Sequence, residues 1–241
     1  MNEFLFVVVP YVCLTTFVVG HLWRYHYDKF GWTTRSSQLY ENRLLRIGSP
    51  LFHFGIIGVF FGHVIGLGIP ASWTEAVGIS EGLYHVLAVS VGALAGLATV
   101  VGMLILIYRR RTVGPVFSVT TRMDKVMYAF LGVVIALGMW NTVAGSVLTI
   151  GGEYNYRQGV SVWFRGIFRF DLHPDLMGEA PLGFQLHGLV AMALFALWPF
   201  TRLVHVFSAP LGYLTRPYIV YRSRDEQLGS HTPRRGWERT P

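Results

Sequence analysis

Four histidines lie in parts of the sequence that are otherwise almost free of charged residues. His53 and His63 fall within LFHFGIIGVFFGHVIG, residues 51–66, which contains no Asp, Glu, Lys or Arg. His187 and His205 lie toward the two ends of another apolar stretch nearer the C-terminus. The neutral imidazole is the commonest metal ligand in proteins. These residue types in this setting therefore predict metal binding, if the fold brings the four side chains together.

The composition places these histidines in a membrane. Of the 241 residues, 52% are hydrophobic and 14% are charged, and the mean hydropathy is +0.44; soluble domains carry about 25% charged residues. A bilayer core about 30 Å thick is crossed by roughly 20 apolar helical residues, and a backbone in lipid must satisfy its own hydrogen bonds. We therefore predict an all-α integral membrane protein with five spans, at about residues 4–23, 50–69, 83–108, 126–150 and 182–206.

The remaining segments are connections and a tail. Residues 1–221 are predicted to form one five-helix domain, and the polar residues 222–241 a flexible cytoplasmic tail. The first stretch has an acidic residue where a signal peptide would be basic, so we interpret it as a retained span. Before span 5, an amphipathic helix is predicted at about residues 160–170. It has the pattern of a helix lying in the membrane interface, with Trp163, Phe164, Ile167 and Phe168 on one face and Arg165 and Arg169 on the other.

Basic residues alternate between the connections. Segments 24–49 and 109–125 each carry five, segment 70–82 carries none, and the tail from residue 208 carries six arginines. By the positive-inside rule, this predicts the N-terminus outside and the C-terminus in the cytoplasm. Because these cations flank helix ends, their expected partners are anionic lipid headgroups rather than nucleic acid.

Helix geometry predicts which histidines face each other. Spans 2 and 5 run antiparallel, because they are an odd number apart in chain order. His53 therefore lies opposite His205 toward the cytoplasm, and His63 lies opposite His187 toward the outside. On straight helices the two histidines of span 2 are about 15 Å apart and those of span 5 about 27 Å apart. Helix tilt is expected to absorb the difference of about 12 Å.

A strip of glycines adjoins His63 on span 2. Gly55, Gly62 and Gly66 fall on neighbouring positions of one helix face. Such a strip allows either close approach of another helix or contact between the backbone and a flat porphyrin. Because histidines flank the strip, we favour the porphyrin.

Two histidines at each level fit haem better than zinc. Structural zinc takes four protein ligands and catalytic zinc takes three. The single cysteine, Cys13, cannot supply a thiolate cluster. An alternative is a histidine-dependent transporter without haem, but the apolar runs lack the Asp and Glu that proton or cation pathways usually contain. We therefore predict two b-type haems, each held by two histidines.

Several motifs resemble one family of membrane cytochromes. RYHYDKFGWTTRSSQL (24–39), the stretch 51–66 and LWPFTRLVHVFSAPLGYLTR (197–216) are similar to sequences of the gamma subunit of respiratory nitrate reductase, over span 1 to about residue 222. The alternative within the same haem chemistry is the cytochrome b anchor of a hydrogenase or formate dehydrogenase. The FGWTTRSS and RLVHVFSAP stretches favour the nitrate reductase family.

The resemblance implies a complete electron path. It implies that His63 and His187 ligate an outer haem, and His53 and His205 an inner one. A menaquinol or ubiquinol would be oxidised beside the outer haem with proton release outside. The expected partners are a cytoplasmic iron–sulfur beta subunit and, through it, a molybdenum alpha subunit that reduces nitrate. The chain itself would have no nitrate-reducing site and would reside in the bacterial cytoplasmic membrane.

The quinol site departs from the family pattern. The family has a lysine near the start of span 3 that helps to hold the quinol, whereas this chain reads SEGLYHVLAVSVG there. No side chain is assigned as a catalytic acid or base. The candidates for the quinol site are His85, Tyr84, Gly62 and His63.

Arg202 lies one turn before His205. Two interpretations remain open for its guanidinium: an ion pair with a haem propionate, or extension to the cytoplasmic interface.

Overall fold

In the part of the chain that the structure describes, all regular elements are helical. The computed structural model describes residues 1–32, 36–148, 154–208 and Thr215. Its helices belong to one compact unit, Met1–Ser208. The predicted tail, 222–241, lies outside the described residues, as do residues 149–150 at the predicted end of span 4.

Among the described residues, five helices are long and apolar enough to cross a membrane, which agrees with the predicted number. Span 5 ends earlier than predicted, and spans 2 and 3 extend beyond their apolar cores into flanking polar residues. The orientation of the termini stays a prediction. Spans 1 to 5 are Phe4–Tyr27, Arg43–Gly68, Glu81–Thr112, Arg122–Val147 and Leu182–Phe200.

Shorter helical segments fill the connections. Three of the spans contain a π-helical stretch: Phe4–Val8, Val64–Gly68 and Asn141–Val147. The α-helices between the spans are Ala71–Ala76, Gly114–Ser118, Val160–Arg169 and Pro174–Gly178. The 3-10 helices are Lys29–Gly31, Trp198–Phe200 and Arg202–Val206.

Polar side chains cap the starts of two spans. The Ser80 hydroxyl accepts a hydrogen bond from the Leu83 backbone N–H at 3.3 Å, which begins span 3. Thr121 and Asp124 form a capping box at the start of span 4, each side chain accepting from the other residue's N–H. Such caps satisfy N–H groups that have no partner within the helix.

The prediction of one continuous helix over 182–206 is wrong. The α-helix ends at Leu197 and a 3-10 turn ends at Phe200. Thr201 is extended, with φ −114° and ψ 178°, and the segment Arg202–Val206 is a separate 3-10 helix. Pro199 lacks an N–H and crowds the preceding turn, so the α-helix does not continue past it. His205 therefore does not lie on the span 5 helix, and the spacing of about 27 Å expected for a straight helix does not apply.

The connection helix Val160–Arg169 forms where it was predicted, but its apolar face is used differently. Trp163 and Ile167 are 3% and 2% exposed and pack in a core cluster with Phe6 of span 1. The Trp163 indole N–H donates to the Phe6 carbonyl at 2.8 Å. Of the four residues on the predicted apolar face, only Phe168 is largely exposed. Most of the face predicted to enter the lipid interface thus anchors the connection to the bundle.

Among the described residues, the spans pack in the order 2, 3, 4, 5 and 1, and spans 2 and 5 do not pack closely on each other. Span 2 packs extensively on span 3, span 3 also contacts span 4, span 4 packs on span 5, and span 5 packs on span 1. A Cβ at Gly55 would lie 2.6 Å from the Thr99 backbone nitrogen, and one at Gly102 would meet the Phe52 backbone. The predicted porphyrin contact at Gly55 is therefore wrong, because close packing of spans 2 and 3 uses this glycine.

The packing predicts opposite effects for two Gly→Ala substitutions. Gly55→Ala places a methyl group against the span 3 backbone and should destabilise the bundle by about 1–3 kcal/mol. Gly92→Ala, in span 3, meets no atom within 4 Å and should be neutral or stabilising by up to about 1 kcal/mol, because alanine favours helix. Thermal unfolding in detergent, followed by circular dichroism, measures both. Equal midpoints would contradict the assigned contact.

Candidate functional site

The structure brings the four histidines together in two pairs. The ring centres of His63 and His187 are 6.0 Å apart, with 28° between the ring planes. The ring centres of His53 and His205 are also 6.0 Å apart, with 70° between the planes. Each pair joins span 2 to the polypeptide of span 5 or the segment just beyond it. The break at Thr201 is what allows both pairs to form, since one straight helix would not place both levels correctly.

Each of the four imidazoles has one nitrogen committed to a backbone carbonyl. A carbonyl oxygen only accepts, so Nδ1 carries the hydrogen and Nε2 keeps its lone pair. A hydrogen bond from Nδ1 to a carbonyl is the usual way in which a metal-ligating histidine is oriented. The Nδ1 to oxygen distances are 2.7 Å for His53 to Ser49, 2.8 Å for His63 to Val59, 3.1 Å for His187 to Val134 and 2.6 Å for His205 to Arg202.

The spacing of the rings fits one metal ion between each pair. A bond between a metal and an imidazole nitrogen is about 2.0–2.1 Å long, so two facing ligands have ring centres about 6 Å apart. Within the described part of the chain, no group of three or more His, Cys, Asp or Glu could hold a metal. A metal with two protein ligands must obtain the rest of its coordination elsewhere. The four ring nitrogens of a porphyrin would supply it.

The surroundings of span 2 leave room for a flat group. The side chains of His53 and His63 are exposed although both lie within the span. A Cβ at Gly62 would meet no atom within 4 Å. A Cβ at Gly66, in contrast, would lie 3.0 Å from the Tyr156 hydroxyl and 3.2 Å from the Tyr84 hydroxyl. Of the three glycines expected to face a porphyrin, only Gly62 remains open.

Tyr84 and His85 are adjacent in sequence but lie in different environments. His85 is exposed, whereas Tyr84 is only 8% exposed. The Tyr84 hydroxyl is hydrogen-bonded to the Tyr156 hydroxyl at 3.0 Å. Burial, and then the hydrogen bond to Tyr84, raise the pKa of Tyr156 above its usual value, so this phenol stays neutral. Tyr84 is thus the candidate that points toward the turn following His63.

Arg157 fixes this arrangement and was missed in the sequence. Its side chain is 2% exposed and its guanidinium lies 3.8 Å from the centre of the Tyr84 ring. One nitrogen donates to Glu81 at 2.9 Å and another to the Thr74 hydroxyl at 3.0 Å. These contacts connect segments more than 70 residues apart in the chain, so no local pattern could reveal them.

Arg202 has an internal partner that the sequence analysis did not identify. Its Nε and Nη2 donate to the two carboxylate oxygens of Asp124, both at 2.7 Å. Its side chain is 20% exposed, and its extension to the cytoplasmic interface stays a prediction. Contact with a haem propionate stays a prediction.

The fold and the site together define the class of protein: a helical membrane protein with paired histidines. Five helices of membrane-spanning length, with the segment just beyond the fifth, bring together two histidine pairs whose ring centres are 6.0 Å apart. The chain belongs to the nitrate reductase gamma subunit family, whose family model matches residues 2–224.

The chain is also similar to individual proteins that are named as nitrate reductase proteins. The chain is 61% identical over 237 residues to the nitrate reductase-like protein NarX of Mycobacterium tuberculosis, covering 98% of this chain but 36% of that protein. It therefore spans about a third of the length of that relative. It is 43% identical to the nitrate reductase gamma chain of Bacillus subtilis, covering 92% of this chain and 99% of the relative. The respiratory nitrate reductase 2 gamma chain of Escherichia coli is 34% identical, with 93% and 98% covered.

The contacts of Arg157 generate a test of the outer-face network. Arg157→Gln removes the partner of Glu81 and the group stacked on Tyr84, and should destabilise the connection by about 1–3 kcal/mol. Hydrogen exchange of backbone amides 154–160 should become faster. Arg169→Gln, at an exposed position of the same connection, is the matched control. Equal exchange rates in the two variants would show that Arg157 does not anchor this segment.

Proposed function

We propose that this chain is the quinol-oxidising, di-haem b membrane subunit of a respiratory nitrate reductase. One observation carries the proposal: two histidine pairs with ring centres 6.0 Å apart, in which every Nδ1 is committed to a carbonyl. Membership of the gamma subunit family supports nitrate reductase over the cytochrome b anchors of other respiratory complexes.

The residues that would hold the two haems follow from the pairs. His63 and His187 hold the outer haem, and His53 and His205 the inner one. A bound haem supplies reversible one-electron redox chemistry. The protein contributes orientation of the imidazoles through four carbonyl groups and the open backbone at Gly62 beside His63.

The quinol is proposed to bind beside His63, next to Gly62. Oxidation of a quinol to a quinone releases two electrons and two protons, so the site needs a group that hydrogen-bonds a quinol hydroxyl as it loses its proton. With no lysine at the start of span 3, the Tyr84 hydroxyl supplies this hydrogen bond. Its neutral partner Tyr156 and the buried Arg157 hold it in place. With the predicted topology, the protons leave on the outer side.

The partners are proposed from the family and the charge pattern. An iron–sulfur beta subunit docks at the cytoplasmic face and receives the electrons, and a molybdenum alpha subunit reduces nitrate. The basic residues around the cytoplasmic helix ends contact anionic lipid headgroups. The location is the bacterial cytoplasmic membrane.

Ligand substitutions test the haem assignment. His63→Ala should remove the outer haem and stop quinol oxidation. His205→Ala should remove the inner haem while leaving the outer haem partly assembled. A pyridine haemochrome assay on the chain purified in detergent counts the haems, and His26→Ala, at an exposed position in the last turn of span 1, should keep both. Retention of both haems in either ligand variant would refute the pairing.

Two neighbouring substitutions test the quinol site. Tyr84→Phe removes only a hydroxyl and should raise the KM for quinol about 2–12-fold, the value of one neutral hydrogen bond. Both haem spectra should stay unchanged. His85→Ala alters the adjacent exposed side chain and should change the KM by less than twofold. The reverse ranking would move the assignment to His85.

A further inference from the structure

The segment that carries His205 differs from the elements that carry the other three histidines. His53, His63 and His187 lie within α-helices of spans 2 and 5. His205 lies in a five-residue 3-10 helix that follows an extended Thr201. A short 3-10 helix has poor hydrogen-bond geometry and is marginal by itself. Side-chain contacts from other elements must therefore hold this segment.

Arg24 of span 1 holds the polypeptide just before the segment. One guanidinium nitrogen donates to the carbonyls of Pro199 at 2.5 Å and Thr201 at 2.8 Å. A second nitrogen donates to the Gly31 carbonyl at 2.6 Å. Carbonyls at a helix end have no partner within the helix, so Arg24 supplies partners where span 5 breaks.

Asp124 of span 4 holds the segment itself. Its carboxylate accepts two hydrogen bonds from the Arg202 guanidinium, both at 2.7 Å, and its side chain is 6% exposed. Paired, charge-assisted bonds of this kind fix geometry as well as supply energy. The backbone carbonyl of the same Arg202 accepts the Nδ1–H of His205 at 2.6 Å. One residue therefore connects the carboxylate to the imidazole.

The geometry points to Asp124 as a positioning residue for the inner haem, acting through Arg202 on the orientation of His205. This inference rests on the proposed function, because it assigns a role toward a haem held by His53 and His205. Asp124 fixes the Arg202 side chain to span 4, and with it the carbonyl that orients the imidazole. The outer pair has no equivalent dependence on an ion pair, since Val59 and Val134 present their carbonyls from within spans 2 and 4.

Asp124→Asn in the full chain, purified in detergent, tests the inference. Loss of such a supporting contact typically lowers the affinity for a metal about 10–100-fold. The affinity for the inner haem should therefore fall by about 10–100-fold. The inner ferric signal in electron paramagnetic resonance should also shift. The two centres are distinguishable because their ring planes differ, 70° inside and 28° outside. The outer haem should keep its content and its signal, which also reports that the bundle is folded.

A control separates positioning from a weaker start of span 4. Thr121→Ala removes the hydroxyl that caps the span but leaves the Asp124–Arg202 pair, so both haems should behave as in the unmodified chain. Arg202→Gln, and the double variant with Asp124→Asn, should each resemble Asp124→Asn, because residues that act as one pair are not additive. Arg202→Lys, which keeps the charge, should restore part of the inner haem.

Two outcomes overturn the inference. One is an inner haem in Asp124→Asn with the same retention and signal as in Thr121→Ala. The other is additive loss in the double variant. A preparation of the unmodified chain without haem would instead refute the proposed function, so the two failures are distinguishable.

Discussion

Two imidazoles that face each other across a gap between membrane helices are the constraint on which the rest of the structure depends. Spans 2 and 5 meet through these rings rather than through close backbone packing. A ring nitrogen with a free lone pair is unfavourable at membrane depth unless something binds it. The succession of helix contacts from span 2 through spans 3 and 4 to span 5 fixes the width of the gap. The same packing that stabilises the bundle therefore sets the distance between the ligands.

The two ends of this gap are built by different means. Toward His63, the connection after span 4 is anchored by buried groups, with Trp163 inserted against span 1 and Arg157 stacked on Tyr84. Toward His205, arginines bind carbonyls and a carboxylate around a break in the polypeptide. In the proposed function the first end meets a quinol and the second faces a protein partner. Buried aromatic side chains suit the binding of a quinol, and a polar, hydrogen-bonded turn suits contact with a protein.

Much of this arrangement could be predicted from the sequence. Apolar run length gave five spans, and chain parity alone paired His53 with His205 and His63 with His187. Those inferences use only local hydropathy and the antiparallel order of helices. The failures share a physical cause: they depend on contacts between distant segments. The role of Gly55 depends on Thr99, that of Arg202 on Asp124, and the inward face of Trp163 on Phe6. The break at Pro199 could have been predicted from the sequence, because proline interrupts α-helices. The prediction of a straight helix over 182–206 did not take it into account.

The interruption of span 5 has a mechanical consequence. His187 is embedded in a rigid membrane rod, whereas His205 is carried on polypeptide that has already left that rod at Thr201. A displacement of the chain beyond Phe200 can therefore reach His205 without bending the span or disturbing His187. In the proposed function, a partner that binds at that end of the molecule would therefore act more directly on the His53–His205 pair than on the His63–His187 pair.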